Sequence, residues 1–253
     1  IEAQVIRGPN NKFKSAVEPF IYDHMSPENR EQISTFVGDM WRTMLNGISK
    51  ERGVSVEFLN QAADSLTFRD VKLVQSNGLL NGLSYRDEVI SLMKTKVGLD
   101  AQATEGFNLI KLADYHTKPK NEKKDSQVAV VYAIGAIESG EGDDQTIGSD
   151  RIAKALRDAR LNDKVKAIVL RVNSPGGSAL ASDVMWRETE LIRQSGKPLV
   201  VSMGDYAASG GYYIACNANK IFANPTTLTG SIGVFGVIPN MQKFLNNKIG
   251  LTF

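Results

Sequence analysis

A single cysteine, Cys216, occurs among the 253 residues, which excludes an internal disulfide framework and any cysteine-rich metal site. Histidine is nearly as scarce: His24 and His116 are the only two, too few for a multi-histidine metal centre. No run of about 18 apolar residues is present, and no basic segment followed by an apolar stretch opens the chain. An excess of one charge is also missing. The 30 basic and 28 acidic residues leave a net charge of +2, and the one concentrated block is KPKNEKK, Lys118 to Lys124. Phosphate recognition needs a concentrated basic face, so nucleic acid is not an expected partner, and the lysine run reads as a solvated linker.

The chain does hold enough apolar material for a core, 42% of its residues, in a length that fits one large domain or two modest ones. It opens directly on IEAQVIR, an alternating strand pattern with Ile1, Ala3 and Val5 on one side, and stops at NNKIGLTF as a further strand begins. This pattern reads as a fragment of something longer. The clearest helix follows Ser26, a natural N-cap, with Pro27 at the first helical position and Gly53 at the stop. Ile33, Phe36, Val37, Met40, Trp41, Met44, Leu45 and Ile48 keep the 3, 4 spacing of a buried helical face. Further helices are predicted near Thr67–Gln75 and Tyr85–Val97. The segment from about Gly106 to Ser126 is polar, and a boundary is placed near Lys124.

Beyond it, apolar strands and amphipathic helices alternate. VAVVYAIGAI, VKAIVLRVN, KPLVVSM and KIFANP read as strands; SDRIAKALRDARLND, ALASDVMWRETELIRQSG and AASGGYYIACNAN read as helices. Near-continuous apolar strands joined by helices predict an α/β fold with a parallel sheet covered on both faces. In such sheets ligands bind at the carboxyl ends of the strands.

Two glycine-bearing loops fall at those ends: NSPGGS, Asn173 to Ser178, and GDYAASGG, Gly204 to Gly211. Neither has the spacing of a phosphate loop or a dinucleotide fingerprint. Gly176 and Gly177 read either as a tight turn or as two unobstructed N–H donors for an oxyanion. Ser209 reads either as an N-cap or as a nucleophile at a helix start, with Gly210 and Gly211 leaving room for a substrate backbone. A serine nucleophile needs a base. Neither His24 nor His116 sits in a loop that resembles a strand end. A lysine can serve if burial carries its pKa from about 10.4 to about 7. KFKSAVEPF supplies a candidate, because Lys14 is followed by the small and apolar Ser15, Ala16 and Val17; Lys12 is the alternative two residues away.

Four blocks, FKSAVEPF, LRVNSPGGSALAS, SMGDYAASGGYYIAC and NPTTLTGSIGVFG, occur in the order found in the signal peptide peptidase A (protease IV) family, and the chain resembles its long tandem-repeat bacterial form. The resemblance implies a crotonase/ClpP-like fold, with residues 1–124 the C-terminal part of a first repeat and 125–253 a truncated second repeat. It implies that Ser209 is the nucleophile, Lys14 the general base, and Ser231 the residue orienting the lysine. Gly176, with Gly177 or a residue beside Ser209 such as Gly210, would form the oxyanion hole. Where the family often has glycine ahead of the lysine this chain has Asn11, a residue that tolerates left-handed backbone.

By the same resemblance the expected activity is hydrolysis of cleaved signal peptides and other short apolar peptides, without a metal or organic cofactor. The implied assembly is a homotetramer at the bacterial inner membrane, anchored through a segment absent from this chain, with its catalytic part in the periplasm. Two other readings use the same glycine loops: a crotonase-like acyl-CoA enzyme, and a non-catalytic repeat that only builds an assembly.

Overall fold

The computed structural model describes residues 2–102, 106, 108–115 and 125–252. The lysine-rich run Lys118–Lys124 and His116, read above as linker, lie outside the described residues. The chain divides into two compact units, Ile1–Trp41 with Lys124–Phe253, and Arg42–Lys123. This is a spatial division, distinct from the division by chain order at residue 124.

Strand β1 is Glu2–Arg7, and a 3-10 turn follows at Ser15–Phe20. Helix α1, Pro27–Arg52, starts where Ser26 caps it: Asn29 N–H donates to Ser26 Oγ at 3.0 Å. Helices α2 (Val56–Asp64), α3 (Val71–Ser76) and α4 (Arg86–Lys96) make up most of the second unit. Helix α2 is not among the helices predicted above, although Ser55 caps it by accepting from Phe58 N–H at 3.1 Å. The apolar stripe of α1 is not the buried face its spacing predicts. Leu45 alone is buried, while Val37, Met40, Trp41 and Met44 are exposed, because periodicity specifies a stripe but not what covers it.

From residue 127 the elements are β2 (Gln127–Ile134), β3 (Ala136–Glu138), β4 (Thr146–Gly148), α5 (Ser149–Leu161), β5 (Val165–Ser174) and α6 (Ala179–Gln194). They continue with β6 (Leu199–Ala208), α7 (Gly210–Ala215), β7 (Lys220–Phe222), β8 (Leu228–Gly230) and β9 (Phe235–Asn240). The main sheet runs β2-β5-β6-β7, with β8 also paired to β6, and every pair in it is parallel. The fold is therefore α/β with a parallel sheet.

Its core lies on one face. Ile168, Leu170 and Val172 of β5 and Leu199 and Val201 of β6 pack with Leu156 of α5 and Met185 and Ile192 of α6. The other face is only partly covered, contrary to the expectation of two covered faces. Along β2 the alternate residues Val128, Val130, Tyr132 and Ile134 are exposed, Tyr132 by 63%. The alternation of β2 thus matches a sheet buried on one side.

Strand β6 runs five residues beyond the predicted KPLVVSM and takes in Gly204–Ala208, part of the predicted glycine-bearing loop. The extension pairs with β8, Tyr206 to Leu228 through Ala208 to Gly230. Thr227 and Thr229 hydroxyls reinforce the junction by donating to the Gly204 and Ala207 carbonyls, each at 2.8 Å. Where the β5–β6 register slips, Asn173 Oδ1 accepts from Tyr206 N–H at 3.0 Å and satisfies a backbone donor that the bulge would strand.

Candidate active site

Strand register brings two serines together. Ala208 of β6 pairs with Gly230 of β8, so the residues that follow, Ser209 and Ser231, emerge side by side. Ser209 N–H donates to the Gly230 carbonyl at 2.8 Å and fixes the pair. Both serines hold positive φ, 54° at Ser209 and 50° at Ser231, and with Leu66 they are the three non-glycine residues to do so among the described residues. An L side chain in this region costs of order 1–3 kcal/mol, and such strain concentrates at functional sites.

The lysine arrives by a second pairing. After Ser231 the chain enters β9, which runs antiparallel to β1 with Arg7 opposite Phe235. The loop leaving β1 therefore begins beside the segment that carries Ser231, and it ends at Lys14, directly ahead of the 3-10 turn. Lys14 Nζ stands 3.0 Å from Ser209 Oγ, 3.1 Å from Ser231 Oγ and 2.7 Å from the Ser231 carbonyl oxygen. The residue is 5% exposed. Burial pushes its amine below the ordinary 10.5, because desolvation disfavours the ammonium form.

A half-buried network centred on Glu18 holds this loop against the start of α1. Glu18 accepts from Ser26 Oγ at 2.5 Å and from Asn29 Nδ2 at 2.7 Å, and Ser15 Oγ accepts from Gln32 Nε2 at 2.8 Å. Val17 is fully buried beside them. Lys12, the alternative base, is 74% exposed at its side chain and lies 4.0 Å from Glu28. His24 is exposed and pairs with Asp23 at 2.6 Å. Asn11 does not adopt the left-handed backbone that its residue type would allow.

The glycines divide differently from the sequence reading. Gly176 N–H donates to Ser174 Oγ at 3.1 Å, and Gly176 is not among the residues lining the cavity beside Ser209. Gly177 and Gly210 are. The Gly210 N–H is the first of α7 and so has no intrahelical acceptor. Gly177 and Gly210 therefore border the cavity, and the role of Gly176 is steric. A Cβ there would stand 2.7 Å from both Ser209 Cβ and the Gly210 nitrogen.

Gly210 and Gly211 are also bare for a packing reason. A Cβ at Gly210 would come within 2.4 Å of Ser182 Oγ, and one at Gly211 within 2.8 Å of the Ser174 carbonyl oxygen. Their bareness lets α7 pack against α6 and β5.

The cavity has a volume of about 560 Å³ and borders Lys14 and Ser209. Ala179 and Ser182 of α6, Tyr212 and Tyr213 of α7 with Cys216 just after it, and Ile232 and Val234 beyond Ser231 also line it. Among the described residues no acidic side chain lines it. Among the described residues no cluster of three or more His, Cys, Asp or Glu side chains could hold a metal, and no helix is long and apolar enough to cross a membrane.

A strained serine at the carboxyl end of a parallel strand thus stands beside a buried lysine, and comparison with known proteins supplies the family. The sequence matches peptidase family S49 over residues 1–100 and 192–253, a range that includes Lys14, Ser209 and Ser231. The chain belongs to that family. It is 43% identical over 242 residues to "Protease 4" of Salmonella typhi, covering 93% of this chain and 39% of that protein. It is 37% identical over 266 residues to "Serine protease SPPA, chloroplastic" of Arabidopsis thaliana, covering 99% and 37%. The chain thus spans less than two fifths of the length of these relatives. Among solved structures a ClpP1 mutant from Listeria monocytogenes aligns with 35% of this chain and 46% of its own at 21% identity, with a TM-score of 0.29.

Proposed function

We propose that the chain carries the active site of a serine endopeptidase that works through a Ser-Lys dyad, with Ser209 as nucleophile and Lys14 as general base. The observation that carries this reading is the 3.0 Å contact between Lys14 Nζ and Ser209 Oγ at a buried lysine.

As an ammonium Lys14 donates to all three oxygens, and as a neutral amine it keeps the two Ser231 contacts. A neutral amine has two N–H donors and one lone pair. The Ser231 carbonyl and Ser231 Oγ take the two donors, which leaves the lone pair for the Ser209 hydroxyl proton. Ser209 Oγ attacks the substrate carbonyl carbon as its proton passes to Lys14 Nζ. The negative charge that develops on the carbonyl oxygen is met by Gly177 N–H and Gly210 N–H. Collapse breaks the C–N bond, Lys14 returns its proton to the leaving amine, and an acyl ester remains on Ser209. Water then attacks the ester carbonyl as its proton passes to Lys14; collapse breaks the C–O bond to Ser209, Lys14 returns the proton to Ser209 Oγ, and the acid product leaves, losing its proton to solvent.

Substrates are short, apolar peptides such as the remnants of cleaved signal peptides. The apolar walls of the cavity support this, and a volume of about 560 Å³ exceeds any single side chain, so more than one substrate residue fits. The test is hydrolysis of an apolar peptide by the full chain. Ser209→Ala and Lys14→Ala should each lower kcat by about a thousandfold or more. Ser231→Ala, which keeps the carbonyl contact, should cost about tenfold. Retention of normal hydrolysis by either of the first two variants would remove the dyad.

A further inference from the structure

One wall of the cavity is held from outside it. Tyr213, the fourth residue of α7, lines the cavity, and its hydroxyl donates to Asp183 Oδ1 on α6 at 2.7 Å. The Tyr213 ring also lies against Trp186 of α6, with centroids 5.9 Å apart and planes tilted by 30°. Asp183 is exposed and does not line the cavity. The hydrogen bond is strong enough to push the Tyr213 phenol above its ordinary 10.0, with burial adding to the effect. Ile232 and Val234 also line the cavity, with apolar side chains that carry no hydrogen-bonding group of their own.

We propose that Asp183 is a positioning residue for substrate selection: by accepting from the Tyr213 hydroxyl it pins that ring as the cavity wall and so limits the size of the substrate side chain admitted beside Ser209. This inference rests on the peptidase reading of the site. The ring is tethered at its far end by Asp183 and braced by Trp186. Without the tether it turns about two side-chain torsions, and the cavity widens toward α6. The role requires an acceptor oxygen at position 183 rather than a negative charge. It therefore differs from direct electrostatic recognition of a basic substrate.

The experiment measures kcat/KM of the full chain on a peptide series in which the residue on the acyl side of the cleaved bond is Ala, Leu or Phe. Asp183→Ala and Tyr213→Phe should each raise the Phe-to-Ala preference by about fivefold, the value of one hydrogen bond. The double variant should raise it no further, because both substitutions cut the same contact. Asp183→Asn, whose amide oxygen still accepts, should restore the original preference. Because Asp183 is exposed, none of its variants disturbs the core. A preference that stays within twofold in both single variants, or a double variant that adds the two effects, overturns the proposal. If Asp183→Asn behaves like Asp183→Ala, charge rather than ring position is responsible, and the proposal fails. These outcomes are separate from failure of the peptidase reading, which would show as hydrolysis that persists in Ser209→Ala.

Discussion

Lys14 Nζ and Ser209 Oγ stand 3.0 Å apart across 195 residues of sequence. No helix or loop reaches that far; the contact exists because two strand pairings meet at Ser231. Parallel β6–β8 pairing sets Ser231 beside Ser209, and antiparallel β1–β9 pairing starts the lysine loop beside the same segment.

The buried amine has a consequence for pH dependence. Desolvation lowers the Lys14 pKa below 10.5, and only the deprotonated amine has a lone pair for the Ser209 proton. kcat/KM for an apolar peptide should therefore rise with pH through the depressed lysine pKa, with its midpoint below 10.5. As pH falls, the amine protonates and activity is lost. A pH–rate profile checks this, and an acid limb that persists unchanged in the residual activity of Lys14→Ala would assign it to another group.

The tight start of α7 predicts a stability defect with a partial remedy. Gly210→Ala drives a methyl to within 2.4 Å of Ser182 Oγ and 3.0 Å of Ile137 Cδ1. Overpacking of this kind costs about 1–3 kcal/mol. Adding Ser182→Ala removes the nearer atom and should return part of the loss in urea denaturation, whereas Ser182→Ala alone should not stabilise the chain.

Glu18 sits four residues beyond the lysine and does not touch it, yet it anchors the turn that presents it. Glu18→Ala should lower kcat by about 10- to 100-fold, the scale on which small displacements of a reacting group act, and Glu18→Gln should lower it less. Burial pushes the Glu18 carboxyl up, but the hydrogen bonds from Ser26 and Asn29, together with the Arg7 charge, outweigh it and hold the pKa below 4.5. A carboxyl with a depressed folded-state pKa contributes stability above its unfolded-state value, and that contribution is lost as pH falls through the folded one. Denaturation midpoints of wild type and Glu18→Gln should therefore converge in acid, below about 4.5, and separate above it.

Much of this site was legible in the sequence, for reasons that differ from residue to residue. Ser209 stood out because it occupies a strand-to-helix turn between small residues, and Lys14 because a basic residue led into a small, apolar stretch. The parallel sheet followed from strands without alternation. The pairing of β1 with β9 was not readable, since strand partners depend on contacts between distant segments that no local pattern encodes. The same limit explains α1, whose spacing defines a stripe but not a neighbour to bury it. Gly176 and Gly210 were legible as positions needing glycine, but the reason was not: at Gly210 the missing Cβ makes room for Ser182 and Ile137, and Gly176 gives its N–H to Ser174 rather than to an oxyanion.

The most direct measurement is the rate at which a serine-directed phosphonate acylation mimic modifies the chain, with the modified residue located by peptide mass mapping. The label should fall on Ser209, and Lys14→Ala should slow it by about a thousandfold without unfolding the chain. A label on another residue, or an undiminished rate in Lys14→Ala, would contradict the dyad.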